Sequence, residues 1–322
     1  MASRRVTLQA IGASALALCS PFVRAQDKSP IRLMVGLPAG TSTDFTARLV
    51  AEKMRQQMGR TITVDNRAGA GQRLAMGELR HAAPNGQTLL LATSGPFSIY
   101  PHIYSKLDYD PVNDFTPIAG VATFDVCIST GPMTGAKNLK ELVAWAKANP
   151  GRAAYGSPGN GTLSHFVGIA LGIGMGQTLT HVPYKDSNVA VVDVAAGRLP
   201  MHITGMSTTI ELHRAGRIRI VTVSGDKRSA LLPELPTLKE SGYNVSGSAT
   251  IGIFGPPQMS PELVADISSS FLKSFQGPDI APALGMHGIL PEPTGTAELV
   301  TALSDEYKRV GLLAKASGYV PE

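Results

Sequence analysis

The sequence predicts an α/β protein with two lobes, mostly parallel sheets and two crossover strands. Short apolar segments alternate with helical patterns along the chain, which is typical of parallel sheets covered by helices on both faces. The length of 322 residues is enough for two hydrophobic cores. A hydrophobic fraction of 43% with 16% charged residues indicates a folded chain rather than a disordered one.

The first βαβ unit is predicted at the start of this alternation. A strand at 31–36 precedes a helix whose apolar face repeats every three or four residues from Phe45 to Met58, and Gly59 ends the helix before a strand at 61–64. Later strands are predicted at 88–93, 116–121, 153–156, 179–182, 201–203 and 218–223, with helices at 139–149 and 189–196.

Two further apolar segments, at 124–129 and 250–254, are predicted to be the crossover strands, since Gly and Pro bound them. The chain would leave the first lobe near residue 126 and return near residue 249. Two crossings of this kind form a hinge between lobes.

The expected domain division follows from these crossings. One lobe is expected at 27–126 plus 249–322, where C-terminal helices at 261–275 and 296–315 complete it, and the second lobe at 127–248. We find no internal repeat, so the lobes are not predicted to be copies of one unit.

Residues 1–25 are predicted to be a signal peptide. Arg4 and Arg5 precede an apolar run at 10–18, and the small residues in Val23-Arg24-Ala25 suit cleavage after Ala25. The run is too short to span a bilayer, and no later stretch predicts membrane insertion. The mature protein is therefore expected in the periplasm, and the paired Arg leaves a twin-arginine route open.

Charge and composition exclude several partner classes. The net charge is +5, and residues 1–25 hold three Arg and no acid, so the mature chain is nearer neutral. No Lys/Arg run is present, which argues against nucleic acid. Cleavage would remove Cys19 and leave Cys127 alone, which excludes an internal disulfide. The His residues are never three or four apart, so no metal and no cofactor is expected.

The loop at 36–44 between the first strand and its helix predicts an anion site. Gly40 allows close backbone approach, Ser42 or Thr43 could cap the helix, and the first-turn N–H groups would face a ligand. The same residues also suit an ordinary turn. The ligand-binding candidates here are Pro38, Ala39, Gly40, Thr41, Thr43 and Asp44.

A second Gly-rich loop at 155–165 repeats this arrangement. Its spacing is similar to a phosphate-binding loop, but the Lys that nucleotide phosphates require is missing. His165 could point back over the loop as a donor, or could be an ordinary helix residue. The candidates are Ser157, Asn160, Gly161, Thr162 and His165.

A third strand-to-helix loop, at 181–189, offers Tyr184 as a cover for the cleft and Ser187 as a helix cap, while Lys185 is expected in solvent. Ser94, which follows the strand at 88–93, completes the candidates. Ligands of open α/β sheets bind at the carboxyl ends of the strands, where such loops meet. Side chains that could shape the cleft, although such residues are usually core, are Phe45, Phe97, Phe166 and Met206.

These segments resemble the Bug/TctC family, the extracytoplasmic solute receptors of tripartite tricarboxylate transporters. The resemblance covers the mature chain and rests on ordered matches at 38–44, 66–71, 84–90, 109–115, 159–165, 181–185 and 228–237. It implies a type II periplasmic-binding-protein fold, a carboxylate held mainly by backbone amides and hydroxyls, and transient contact with membrane transporter subunits. We expect a monomer that performs no chemistry on its ligand.

Two positions depart from the family pattern at the site. Thr41 follows Gly40 where the family usually has a second Gly, and Asp186 follows Tyr184-Lys185 where it usually has Gly. Asp186 adds negative charge where a second carboxylate would lie. A ligand with an amine or neutral far end is therefore expected rather than a tricarboxylate.

Two alternatives remain open from the sequence. A sensory receptor for a carboxylate, acting in two-component signalling, would use the same ligand trap. A serine hydrolase could use Ser157, His165 and Asp44, but the sequence has no Gly-x-Ser-x-Gly nucleophile turn.

Overall fold

The computed structural model describes residues 29–245, 247–317, 319 and 321, without the side chains of 316 and 317. The predicted signal peptide at 1–25 and the paired Arg within it lie outside the described residues. Within the described part, no helix is both long and apolar enough to cross a membrane.

The elements alternate as expected. In chain order the described strands are β1 (Ile31–Val35), β2 (Ile62–Asn66), β3 (Thr88–Thr93), β4 (Thr116–Thr130), β5 (Ala154–Ser157), β6 (Thr180–Pro183), β7 (Met201–Gly205), β8 (Arg219–Val223), β9 (Ser248–Gly255) and β10 (Ile289–Thr294). The described α-helices are α1 (Ser42–Met58), α2 (Arg73–Leu79), α3 (Gly95–Ser98), α4 (Tyr100–Ile103), α5 (Leu139–Ala148), α6 (Leu163–Met175), α7 (Ser187–Ala195), α8 (Ile210–Arg214), α9 (Pro261–Ser274), α10 (Ile280–Gly285) and α11 (Thr296–Ser317). Most predicted ends are correct to within two residues.

The first sheet has the order β2-β1-β3-β9-β4, with β10 on the outer side of β4. Strands β1, β2 and β3 are parallel, while β9 is antiparallel to both β3 and β4. Strand β1 is almost wholly apolar because helices cover both of its faces, whereas the edge strand β2 is half-exposed. The second sheet repeats this order as β6-β5-β7-β4, with β8 beyond β4.

The α/β class is confirmed, but the sheets are mixed. Parallel pairing joins β2, β1 and β3 in one sheet and β6, β5 and β7 in the other, whereas every pairing of β4 and β9 is antiparallel. Parallel neighbours are joined by helical crossovers within one sheet, whereas β4 and β9 lie where the chain passes between the sheets.

Strand β4 is the first crossing between the sheets. The sequence suggests two strands at 116–121 and 124–129, whereas the structure has one strand of 15 residues. Asp125 of β4 pairs with Ser248 of β9, whereas the next residue, Val126, pairs with Gly205 of β7. The chain returns beside this point, where the amide of Gly247 donates to the carbonyl of Ser224.

Each sheet packs its own apolar core. The core of the first sheet is formed with α1, α9 and α10, and that of the second sheet with α5 and α6. A smaller cluster joins the two halves, because Phe166 of α6 packs against Ile99 and Ile103. Helix α11 also contributes to it through Val310 and Ala314, so this helix contacts both halves.

Candidate functional site

A cleft of about 850 Å³ lies between the two sheets. Its walls are loops that follow parallel strands, and its floor is formed by Phe124, Asp125 and Val126 of β4 together with Ala249. The carboxyl ends of β1, β3, β5 and β7 therefore face one shared space, which is the position where open α/β sheets bind ligands.

The loop before α1 is held in place by Asp44. One carboxylate oxygen accepts hydrogen bonds from the Gly40 amide at 2.9 Å and from Arg48 Nε at 3.0 Å, and the other accepts from Asn66 Nδ2 at 3.0 Å. Burial alone would raise the pKa of Asp44, but these hydrogen bonds lower it below the ordinary value. Asp44 is thus an ionised residue that supports the loop from beneath. Because the Gly40 amide donates to it, that amide is not available to a ligand.

The cap of α1 is Thr41 rather than Ser42 or Thr43. Its side-chain oxygen accepts a hydrogen bond from the Asp44 amide at 3.3 Å, and its backbone is extended. The departure from the family pattern at this position therefore has a structural role. The amides of Ser42 and Thr43, ahead of Asp44, have no acceptor among the described residues, and both residues line the cleft.

The loop before α6 has the same construction in the second half. Thr162 caps the helix by accepting from the His165 amide at 3.3 Å, and the Gly161 amide donates to His165 Nδ1 at 3.2 Å. The amides of Leu163 and Ser164 have no described acceptor, and both residues line the cleft. Two helix N-termini thus present unpaired donors to one space.

Gly161 cannot carry a side chain in this arrangement. Its φ of +69° lies in the left-handed region, and a Cβ would overlap the Cδ1 atom of Ile103. Ile103 belongs to the first half of the molecule, so the loop of the second half is seated directly against the opposite half.

His165 and Ser157 lie beneath this loop rather than on the cleft wall. The His165 ring stacks on His181 with centroids 4.0 Å apart, and His181 Nε2 lies 2.6 Å from Ser157 Oγ. Burial, and then the neighbouring His181, lower the pKa of His165 to about 4. Burial lowers the pKa of His181 to about 4 as well. Both rings are therefore neutral at pH 7 and support the loop.

The third loop is organised differently from the prediction. Asp186, not Ser187, caps α7, because its carboxylate accepts from the Asn188 amide at 2.8 Å. Tyr184 turns away from the cleft and donates its hydroxyl to Asp193 at 2.9 Å. This helix start supplies its own anion, which takes up the Asn188 amide.

The predicted site residues divide into two groups. Those that line the cleft are Pro38, Ala39, Gly40, Thr41, Thr43, Gly161, Thr162 and Ser187. Those that do not line it are Asp44, Ser94, Ser157, Asn160, His165 and Tyr184, of which Asn160 is exposed. Ser94 is buried and accepts from the Thr250 amide at 3.2 Å, so it ties β3 to β9. Met206 also lines the cleft, whereas Phe45, Phe97 and Phe166 do not.

Sequence reasoning missed several lining residues. They include Gln72, Tyr100, Asp125, Ser164, Asn188, Thr204, Ser207 and His287. Ser164 and Asn188 lie in loops that the sequence singles out, and their position in the first helical turn was the available signal. The other residues are brought to the cleft by the crossing of β4 between the sheets or by long-range packing, which no local sequence pattern indicates.

The hydrolase constellation does not form. Ser157 contacts His181 instead of His165, and the carboxylate of Asp44 is occupied by Gly40, Arg48 and Asn66. Ser157 has no exposed surface, so its hydroxyl cannot meet a substrate in this conformation. In the described part of the chain, no group of three His, Cys, Asp or Glu is placed to hold a metal ion.

Residues 46–319 match the family model described as "Tripartite tricarboxylate transporter family receptor". A UPF0065 protein from the gbd 5' region of Cupriavidus necator is 30% identical over 286 residues, which cover 88% of this chain and 86% of that protein. Protein BugT of Bordetella pertussis is 27% identical over 291 residues, covering 90% and 89% of the two chains.

Solved structures agree in fold. The periplasmic binding protein BugD has a TM-score of 0.80 at 27% identity, with 92% of this chain and 99% of that chain covered. An R. palustris protein determined with adipate has a TM-score of 0.84 at 25% identity, with the same coverage of 92% and 99%. The chain therefore has the fold of a periplasmic binding protein and belongs to the TctC family of tripartite tricarboxylate transporter receptors.

Proposed function

We propose that this protein captures a small organic carboxylate in the cleft and delivers it, chemically unchanged, to the membrane subunits of a tripartite tricarboxylate-type transporter. The observation that carries the proposal is the pair of helix N-termini whose unpaired amides, at Ser42 and Thr43 and at Leu163 and Ser164, line one cleft from opposite sheets. The adipate in the R. palustris relative supports a carboxylate as the ligand class.

Neutral donors are sufficient for this task. A hydrogen bond to an ionised carboxylate contributes about 1.5–3 kcal/mol, and the two helix dipoles favour an anion at the same place. Lys185 is the cationic side chain among the described residues of the lining. The amides therefore provide the main attraction, and Lys185 a smaller one.

The trap works by bridging two lobes, at 27–126 plus 249–322 and at 127–248. The change of strand partners between Asp125 and Val126 supports this division. A ligand that contacts both lobes stabilises the closed arrangement, which is the form that a membrane partner recognises. The protein acts as a monomer in the periplasm after removal of residues 1–25.

A ligand screen tests the proposal directly. Mature protein is heated with mono-, di- and tricarboxylates and with amino acids, and hits are measured by isothermal titration calorimetry. At least one carboxylate is expected to raise the melting temperature by mass action. Folded protein that binds no member of any carboxylate class would refute the proposal.

A gene deletion distinguishes the transport role from the alternative role as a sensory receptor. Deletion of the gene is expected to abolish uptake of the ligand found in the screen. Loss of ligand-induced transcription with uptake unchanged would assign a signalling role instead.

A further inference from the structure

Asp125 lies on the cleft floor at the point where β4 passes between the sheets. It is opposite Ser248 of the first sheet, and the next residue, Val126, is opposite Gly205 of the second. The two helix N-termini that present unpaired amides lie in the walls above this floor. A ligand whose carboxylate meets those amides therefore has Asp125 within the same space.

The carboxylate of Asp125 is held in one place. Its Oδ1 atom accepts a hydrogen bond from Ser248 Oγ at 2.5 Å. Its other side packs against Gly225, where a Cβ atom would overlap both carboxylate oxygens. The side chain is thus fixed between the two crossing segments of the hinge.

This carboxylate has no cationic partner in the part of the chain that the structure describes, since no Lys, Arg or His nitrogen lies within 4.0 Å of it. Burial raises the pKa of Asp125 above its ordinary value, the Ser248 hydrogen bond opposes this rise, and the charge of Asp226 adds a smaller increase. A largely buried carboxylate without a cation is unfavourable, and an added cation relieves that cost.

The other charged groups of the lining, Lys185 and Asp186, do not pair with the Asp125 carboxylate. Asp186 caps α7 through the Asn188 amide. Lys185 and Asp186 are adjacent, on the wall formed by the third loop. A ligand with two carboxylates would place its second negative charge in a cleft whose floor already carries one.

We propose that Asp125 binds an ammonium group of the ligand, and that the ligand is an amino-carboxylate rather than a dicarboxylate. The inference rests on the proposed function: the carboxylate end meets the amides of α1 and α6, and the ammonium end pairs with Asp125. It distinguishes this chain from the R. palustris relative, whose structure contains adipate.

Matched ligand pairs test the assignment by calorimetry at pH 7. β-Alanine, 4-aminobutyrate and 5-aminopentanoate are compared with succinate, glutarate and adipate, in which a carboxylate replaces the ammonium, and L-alanine is compared with propionate. In at least one pair the wild type is expected to bind the amino-carboxylate at least about tenfold more tightly.

Two variants separate the role of Asp125 from general charge. Asp125→Asn is expected to remove the preference for the amine, while the carboxylate partner of the pair binds no more weakly than before. Asp266→Asn is the matched control, since it removes the same charge from an exposed side chain of α9 outside the cleft lining. It is expected to change both affinities less than about twofold.

The possible failures are distinguishable. If carboxylates bind the wild type but no amino-carboxylate binds more tightly than its partner, Asp125 does not bind an ammonium group. The proposed function would then still hold. Equal loss of both members of a pair in Asp125→Asn also overturns the assignment. If no carboxylate of any kind binds, both proposals fall together. If Asp125→Asn does not fold, the wild-type comparison still decides whether the ligand is an amino-carboxylate.

Discussion

The side-chain hydroxyls of Ser42 and Ser207 lie 2.9 Å apart, although 165 residues separate them in the chain. Ser42 begins α1 on one side of the cleft, and Ser207 lies in the turn after β7 on the other. Gly161 makes a second contact between the halves, against Ile103. These two contacts join the halves beside the cleft, as expected for a closed arrangement.

Loss of the Ser42–Ser207 hydrogen bond should weaken ligand binding. Ser207→Ala is expected to raise the Kd about two- to tenfold, because one net hydrogen bond of the closed form is lost, worth about 0.5–1.5 kcal/mol. Calorimetry of both single variants and of the Ser42→Ala/Ser207→Ala double variant gives the interaction free energy between the two hydroxyls. Losses that simply add would mean that the two hydroxyls do not cooperate in closure.

Gly161→Ala should abolish binding at ligand concentrations that saturate the wild type. The substitution strains a left-handed backbone position by about 1 kcal/mol and also drives a methyl group into Ile103, which keeps the halves apart. Calorimetry measures the binding, and the melting temperature reports folding. Lys185→Ala is expected to have a smaller effect on the same assay.

Gly176→Ala is the matched control for this prediction. Gly176 also has a φ of +69°, but a Cβ there meets nothing within 4 Å, and the residue lies at the far end of α6. It should lower stability by a similar backbone term while leaving the Kd within about twofold. Equal loss of binding in both variants would indicate general destabilisation instead of blocked closure.

Acidification should destabilise the ligand-free protein through His165 and His181. The pKa of each ring is lowered to about 4 in the folded state, so between pH 6.5 and pH 4 the unfolded chain binds more protons than the folded one. The free energy of unfolding should therefore fall as pH falls across this window. Urea unfolding at several pH values measures it.

His165→Asn should flatten that pH dependence. The Asn side-chain oxygen can still accept from the Gly161 amide, while one titrating ring is removed. His81→Asn, at an exposed histidine, is the control and should leave the slope as in the wild type. An unchanged slope in His165→Asn would show that this ring is not the source of the acid sensitivity.

Glu306→Gln should stabilise the protein at pH 7 to 8. Glu306 of α11 is 3% exposed, and neither carboxylate oxygen has a well-aligned hydrogen-bond partner among the described residues. Burial raises the pKa of Glu306, outweighing the opposing influence of Ser94, so stability is lost as pH rises from 4.5 through the folded pKa. The neutral amide should add about 1–3 kcal/mol to the free energy of unfolding above that range.

Thermal unfolding at pH 5 and pH 8 measures this effect. The gain in melting temperature over the wild type should be larger at pH 8 than at pH 5. Glu298→Gln, on the same helix at an exposed position, should show no such difference. A gain that is equal at both pH values would contradict a role for the Glu306 charge.

The sequence alone predicted most of the strands, the longer helices and the two loops that end in unpaired helix amides, but not β10 or the short helices. Apolar periodicity encodes the longer elements locally, and Gly40 and Gly161 mark the left-handed turns before α1 and α6. Because parallel strands share one carboxyl edge, those loops could be expected to meet.

Local sequence patterns could not predict which polar side chain of a loop caps the following helix. Thr41 and Asp186 cap helices that neighbouring residues could also have capped, and His165 supports the loop from beneath instead of facing the ligand. Which of several adjacent polar groups takes an acceptor depends on the packing around it.

Tertiary structure alone decided the cleft floor and the contacts between the halves. Strand β4 is one strand because β9 and β7 pair with successive parts of it, and this crossing places Asp125 on the floor. Ser207 reaches Ser42 only when both sheets are assembled. Such contacts join residues that are distant in the chain, and their energy depends on the whole packed chain, so no short segment of sequence specifies them.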